Sequence, residues 1–195
     1  MKTNKHNKQQ VLVLGGTGKT GRRVAQQLTD LGWPVRVGSR SGNPSFDWED
    51  PSTWAAALKG IEVVYLSYHP DLAIPGAVET VSAFTKQAVD SGVKKIVLLS
   101  GRGEKEAQAC EQLIMHAGIA WTILRCAWFS QNFSEGYLLD PLLAGHVALP
   151  AGNVREPFVD TDDIADVAVA AITQDGHDGE LYELTGPRLM TFEEA

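Results

Sequence analysis

Four apolar residues, Val11–Leu14, run directly into Gly15-Gly-Thr-Gly-Lys-Thr-Gly21. An apolar run that gives way to glycines just before a helical pattern is a buried strand turning into a helix. The bare N–H groups of that helix start, and the positive end of its dipole, suit a phosphate. Glycines there permit a tight turn, a close backbone approach to a pyrophosphate, and close packing of helix on strand. The segment therefore predicts the nucleotide-binding turn of a Rossmann-type domain. Gly16-x-Gly18-x-x-Gly21 fits the dinucleotide fingerprint and Gly15-x-x-Gly18-x-x-Gly21 its wider variant. Each is weak alone, and the strand immediately before them supplies the required context. Gly18-Lys19-Thr20 also looks like the end of a triphosphate loop, but that motif needs a glycine where Val13 stands. The bland alternative is an ordinary glycine-rich turn, in which three glycines would weaken a helix start for no return.

The chain of 195 residues is long enough for one sizeable domain with a real core. Its net charge of −7, with no basic cluster beyond the first eight residues, argues against nucleic-acid binding. No apolar run approaches the ~20 residues of a membrane span. Residues 1–10 are polar, lack a secretory core, and read as a disordered tail. Cys110 and Cys126 have no metal-ligand spacing and read as reduced, partly buried residues of a cytoplasmic protein, with no metal expected.

Strand and helix signals alternate. Strands are expected at Val11–Leu14, Pro34–Gly38, Ile61–Ser67, Lys95–Ser100, Ile119–Leu124 and Leu181–Leu184, with a short one carrying Phe46. Helices are expected from Lys19 to Leu31, from Asp50-Pro51 to Leu58, and from Pro75 to Ser91. Two more are expected, from Glu104 to Ala117 and from Asp162 to Thr173 with Thr161 as cap. Near-continuous apolar strands predict an α/β fold: a doubly wound parallel sheet in three αβα layers. Right-handed crossovers would give the order 3-2-1-4-5-6. Residues 11–195 read as one Rossmann domain. Residues 126–160 break the alternation, with a possible short helix near Tyr137–Leu143. They carry Trp128, Phe129, Phe133 and Tyr137 on the side where such sheets bind ligands, and either shape a substrate pocket or pack as a surface excursion.

The coenzyme's ribose is read at the end of the second strand. NAD-binding domains place a carboxylate about 20 residues past the glycines. Here Ser39-Arg40 stands in that place with no carboxylate near. An arginine would pair with a 2′-phosphate, so NADP(H) is expected over NAD(H), a solvated arginine being the alternative. The Tyr-x-x-x-Lys pair of the usual short-chain dehydrogenase is absent. No Ser–His–acid set stands out, and His69, His116, His146 and His177 are scattered. That leaves hydride transfer to an acceptor needing little proton help: an iminium ion, or a quinone or conjugated carbonyl with a hydroxyl or solvent supplying the proton. The protein would contribute orientation and an aromatic pocket.

At this point the sequence resembles the NmrA-like branch of atypical short-chain dehydrogenases, within it the group of the ergot-alkaloid (festuclavine and agroclavine) dehydrogenases and their bacterial relatives. The matching stretches are Gly15–Thr20, Gly38–Ser41, Phe46–Trp48, Val64–Leu66, Val97–Ser100, Trp121–Arg125, Trp128–Glu135, Pro157–Ala165 and Leu184–Pro187. The resemblance implies that Gly15, Thr17, Gly18, Lys19, Thr20 and Gly21 hold the pyrophosphate and Ser39-Arg40 the 2′-phosphate. It puts Asp47-Trp48 near the adenine, and Ser67, Tyr68 and Ser100 near the nicotinamide. It turns Trp128, Phe129 and Asn132 toward a small-molecule substrate. Tyr68 and Ser100 are weak catalytic candidates.

Related quinone reductases carry a histidine where this chain has Ala107, so that residue's role does not carry over. Thr191-Phe-Glu-Glu194 is a capping box, and family members usually continue beyond it. A shortened chain with a partial substrate lobe is therefore expected. The branch also includes dinucleotide-binding proteins that do no catalysis and regulate a protein partner, which is the rival reading. Monomer and homodimer both stay open.

Overall fold

The computed structural model describes residues 8–195. The first strand, β1 (Val11–Leu14), is wholly buried. Its side chains alternate between two cores, Leu12 and Leu14 facing one and Val11 and Val13 the other. A strand covered on both faces has no use for polar residues, which is why it reads as an unbroken apolar run. The same holds for β3 (Val63–Leu66) and for much of β4 (Lys95–Gly101) and β5 (Ala120–Cys126).

With β2 (Val35–Gly38) and β7 (Glu180–Leu184) these form one parallel sheet in the order β2-β1-β3-β4-β5-β7. On one face lie α1 (Lys19–Asp30) and α6 (Thr161–Thr173), burying Val24, Leu28, Ile164 and Ala168. On the other lie α2 (Trp54–Leu58), α3 (Ala77–Asp90) and α4 (Lys105–Met115), burying Trp54, Phe84 and Ile114. The Rossmann-type fold is as expected. No helix among the described residues is long and apolar enough to cross a membrane.

Three expectations need correction. No strand forms at Phe46, so the outermost position of the expected order is missing and β7 extends the opposite edge instead. The Phe46 amide turns back onto the Ser39 carbonyl at 2.9 Å. Its ring is buried among Trp48, Trp54 and Phe84, and this inward packing competes with an edge strand. The helix after Asp50 starts as a 3₁₀ turn, Pro51–Thr53, although Asp50 caps it as expected by accepting from the Ser52 amide. The cap of α6 is Asp160, which accepts from the Asp162 amide at 2.8 Å, while Thr161 is buried as the first helical residue.

The segment 126–160 leaves the sheet after β5 and is clipped at both ends. The Ser130 amide donates to Val159 and the Val159 amide to Trp128, each at 2.8 Å. Between them lie a short α5 (Leu139–Leu143) and β6 (Arg155–Glu156), the latter pairing antiparallel with β8 (Met190–Thr191). The capping box closes reciprocally, Thr191 N to the Glu194 carboxylate and Glu194 N to the Thr191 hydroxyl. Residues 1–7 of the expected tail lie outside the described residues. The Gln10 carbonyl already accepts from the Glu62 and Val63 amides.

Candidate functional site

The chain runs from β1 outward to β2 and then back to β3 on the other side of β1. Strand order therefore reverses between β1 and β3, and ligands of open α/β sheets bind outside the strand ends at such a point. The glycine turn sits there. Gly15 has φ +64°, and the Gly18 amide closes the turn on the Gly15 carbonyl at 2.8 Å. A Cβ on Gly21 would lie 2.2 Å from the Gly15 oxygen, so any side chain there would force the turn open. Gly15 also rests against Ser67, whose side chain would be 3.1 Å from a Cβ at that position. The exits of β1 and β3 thus touch.

Helix α1 begins without a side-chain cap and without an acidic residue in its first turn. Helix α6 makes the opposite choice, with Asp160 as cap and Asp162 and Asp163 behind it. The uncapped amides and dipole end of α1 leave room and charge for an anion. Thr17 and Gly18 are exposed, Lys19 is half-buried, and the Thr20 side chain is buried. A pyrophosphate fits this turn, with main-chain amides as its holders.

Past β2, the Ser39 carbonyl accepts from the Gly42 and Phe46 amides and holds the loop closed. Arg40 is exposed and makes no hydrogen bond or ion pair among the described residues. The Asp47 carbonyl accepts from the Trp54 indole at 2.7 Å. Trp48, next in the chain, packs against Tyr68 with ring centroids 4.9 Å apart. The loop after β2 and the exit of β3 are therefore joined through two aromatic rings.

Ser100, at the end of β4, is buried. Its hydroxyl donates to Glu111 Oε1 at 2.6 Å. Trp128 does not stand alone either. Its ring meets Phe192 at 5.0 Å, Phe192 meets Phe158 at 5.1 Å, and Phe133 lies 5.3 Å from Phe158. Phe129 diverges from this patch and packs on the core beneath the sheet. Asn132 ends the 3₁₀ turn Ser130–Asn132, half-buried.

Sequence reasoning missed two groups. Glu111 carried a signal: it falls on the inward stripe Ala107, Cys110, Glu111, Ile114 of α4, where a carboxylate needs a partner. Arg125 is that partner. Glu135 gave none, because its partners Arg22 and Arg23 are more than a hundred positions away. Hydrogen bonding from Arg23, then Arg22, holds the Glu135 carboxyl down to about 2, against some opposing desolvation. Burial raises the Tyr65 phenol well above its usual range.

Comparison with known proteins identifies the family. Residues 15–175 match the model of a family described as NAD(P)H-binding. An agroclavine dehydrogenase of Claviceps fusiformis is 34% identical over 94% of this chain and 70% of its own length. Prestalk A differentiation protein A of Dictyostelium discoideum is 32% identical over 100% of this chain and 70% of its own. Among solved structures, an NADPH-dependent quinone oxidoreductase of Escherichia coli complexed with NADPH superposes with a TM-score of 0.75. It is 23% identical, over 93% of this chain and 71% of that one. The chain belongs to the NAD(P)H-binding family, with an agroclavine dehydrogenase among its relatives.

Proposed function

We propose that this protein is a reductase that takes hydride from NADPH and gives it to a small organic acceptor: an iminium ion, a quinone or a conjugated carbonyl. The observation that carries this is the uncapped glycine turn at the point where strand order reverses. The reduced nicotinamide supplies the hydride when bound. Main-chain amides of Gly15–Gly21 hold the pyrophosphate. Arg40, exposed and without a partner among the described residues, takes the 2′-phosphate in a charge-assisted fork. Asp47 and Trp48 border the adenine, and Ser67, Tyr68 and Ser100 the nicotinamide end. Trp128 and Asn132 face the acceptor, Phe129 supports them from the core, and the aromatic patch on Trp128 excludes water and orients a flat molecule. The relatives named as a dehydrogenase and a quinone oxidoreductase support hydride chemistry. The free, buried cysteines suit a reducing cytoplasm.

The histidine of related quinone reductases is replaced by Ala107, which is fully buried. An acceptor whose charge is neutralised by hydride alone makes the least demand on such a site. The test is a titration with NADPH and NADH, followed by NADPH consumption with iminium, quinone and enone acceptors. Tighter NADPH binding is expected, lost by roughly tenfold or more in Arg40→Glu. Equal affinities in the parent would overturn the coenzyme preference. Tight binding with no turnover of any acceptor would favour a dinucleotide-binding regulator over a reductase.

A further inference from the structure

Hydride transfer calls for no carboxylate inside α4, yet Glu111 is there with no solvent exposure. Three donors converge on it. Arg125 Nε reaches Oε1 at 3.0 Å, a terminal guanidinium nitrogen of Arg125 reaches Oε2, and the Ser100 hydroxyl donates to Oε1 at 2.6 Å. Ser100 and Arg125 are register partners on β4 and β5, so strand pairing itself aligns them. Arg125 is held from its far side by Glu183 of β7 at 3.1 Å. The arrangement ties α4 and three strands together at the sheet end that also bears the glycine turn.

The polarity of this network leaves one solution. A guanidinium has donors only, so the carboxylate facing it accepts on both oxygens. The Ser100 proton therefore points at Glu111. A serine hydroxyl has one proton and two lone pairs, so only lone pairs remain for anything else. We propose that Glu111 is a positioning residue that fixes Ser100 as a hydrogen-bond acceptor toward the bound coenzyme. Ser100 then selects the N–H donor of the nicotinamide carboxamide and supplies no proton to the hydride acceptor. This rests on the reading that places Ser100 at the nicotinamide end.

The experiment compares equilibrium binding of NADPH with that of its reduced 3-acetylpyridine analogue, whose acetyl group has a carbonyl but no N–H. The parent is expected to prefer NADPH by roughly tenfold, the scale of one buried hydrogen bond. Ser100→Ala keeps the Glu111–Arg125 pair and should bring the ratio close to one. Glu111→Leu with Arg125→Met removes the acceptor that holds the Ser100 proton together with the charge that would be left behind, so the hydroxyl can then donate as well as accept. The preference for NADPH should then shrink, because the acetyl carbonyl can accept from the freed proton. A purely structural role would weaken both nucleotides alike and leave the ratio unmoved. If the double variant does not fold, Ser100→Ala decides alone. A parent that binds both equally, or a Ser100→Ala variant that keeps the parent's preference, overturns the proposal while leaving the coenzyme site standing. A parent that binds neither nucleotide overturns both.

Discussion

The buried ion pair of Glu111 and Arg125 shows how one residue's worth depends on what it leaves behind. Taking two charges out of water is costly, and their attraction offsets that cost only when every donor and acceptor is used. Here the carboxylate has three donors, and the guanidinium is shared with Glu183. Removing one partner strands the other, so Glu111→Ala should lose about 3–5 kcal/mol of unfolding free energy. Replacing both by apolar residues of similar volume, as in Glu111→Leu with Arg125→Met, should cost much less. Urea denaturation of the three proteins checks the ordering. If the single and double variants were equally destabilised, side-chain volume rather than stranded charge would be the cause. Stability measured this way is separate from the binding ratio that tests Ser100.

At the scale of elements, the excursion 126–160 depends on α1 for its place. Glu135 reaches Arg22 and Arg23 in α1, and Arg23 also pairs with Asp162 of α6. The Glu135 carboxyl lies near 2 rather than the ordinary 4.5, chiefly through its hydrogen bond from Arg23. A depressed carboxylate adds stability that is complete above its unfolded value and fades as pH falls toward the folded one. The window is therefore about 4.5 down to about 2. Parent and Glu135→Gln should differ in urea midpoint at pH 6, and the gap should close as pH falls through that window. Other carboxylates titrate in both proteins and cancel. A gap that stayed constant with pH would deny the clamp its charge.

This clamp also marks where sequence reasoning stops. The β1 turn and α1 were legible because strand, glycines and helix are adjacent in the chain, and local rules decide them. The helix ends expected at Leu31, Leu58, Ser91 and Ala117 were legible for the same reason, and the helices stop within two residues of them. Phe46 was misread because burial under Trp54 and Phe84 is a long-range fact that overrides a local strand preference. The Glu111–Arg125 pair and the Glu135 clamp join residues 14 and 112 positions apart. Only the folded sheet and its crossovers bring such charges together.

For the whole molecule, the sheet divides the interior into two cores, and each contains one thiol. Cys110 lies on the α3–α4 side and Cys126 on the α1–α6 side. Burial pushes Cys110 up to about 11, with Glu111 and Glu79 adding to it, and pushes Cys126 up to about 12. The thiolate is the nucleophile, so neither should react with a thiol reagent at pH 8 while the protein is folded. Reaction requires opening, and the pair then reports whether the layers open as one. Every central strand contributes residues to both cores, so exposing one face disrupts the strands that support the other. The expectation is equal labelling rates for Cys110 and Cys126, both slowed by NADPH because binding favours the folded state. Mass spectrometry of timed samples reads the two sites separately. Cys126 stands where β5 gives way to the excursion, so labelling there well ahead of Cys110 would show that the excursion opens by itself. Equal rates, by contrast, would make the excursion part of one cooperative unit with the sheet.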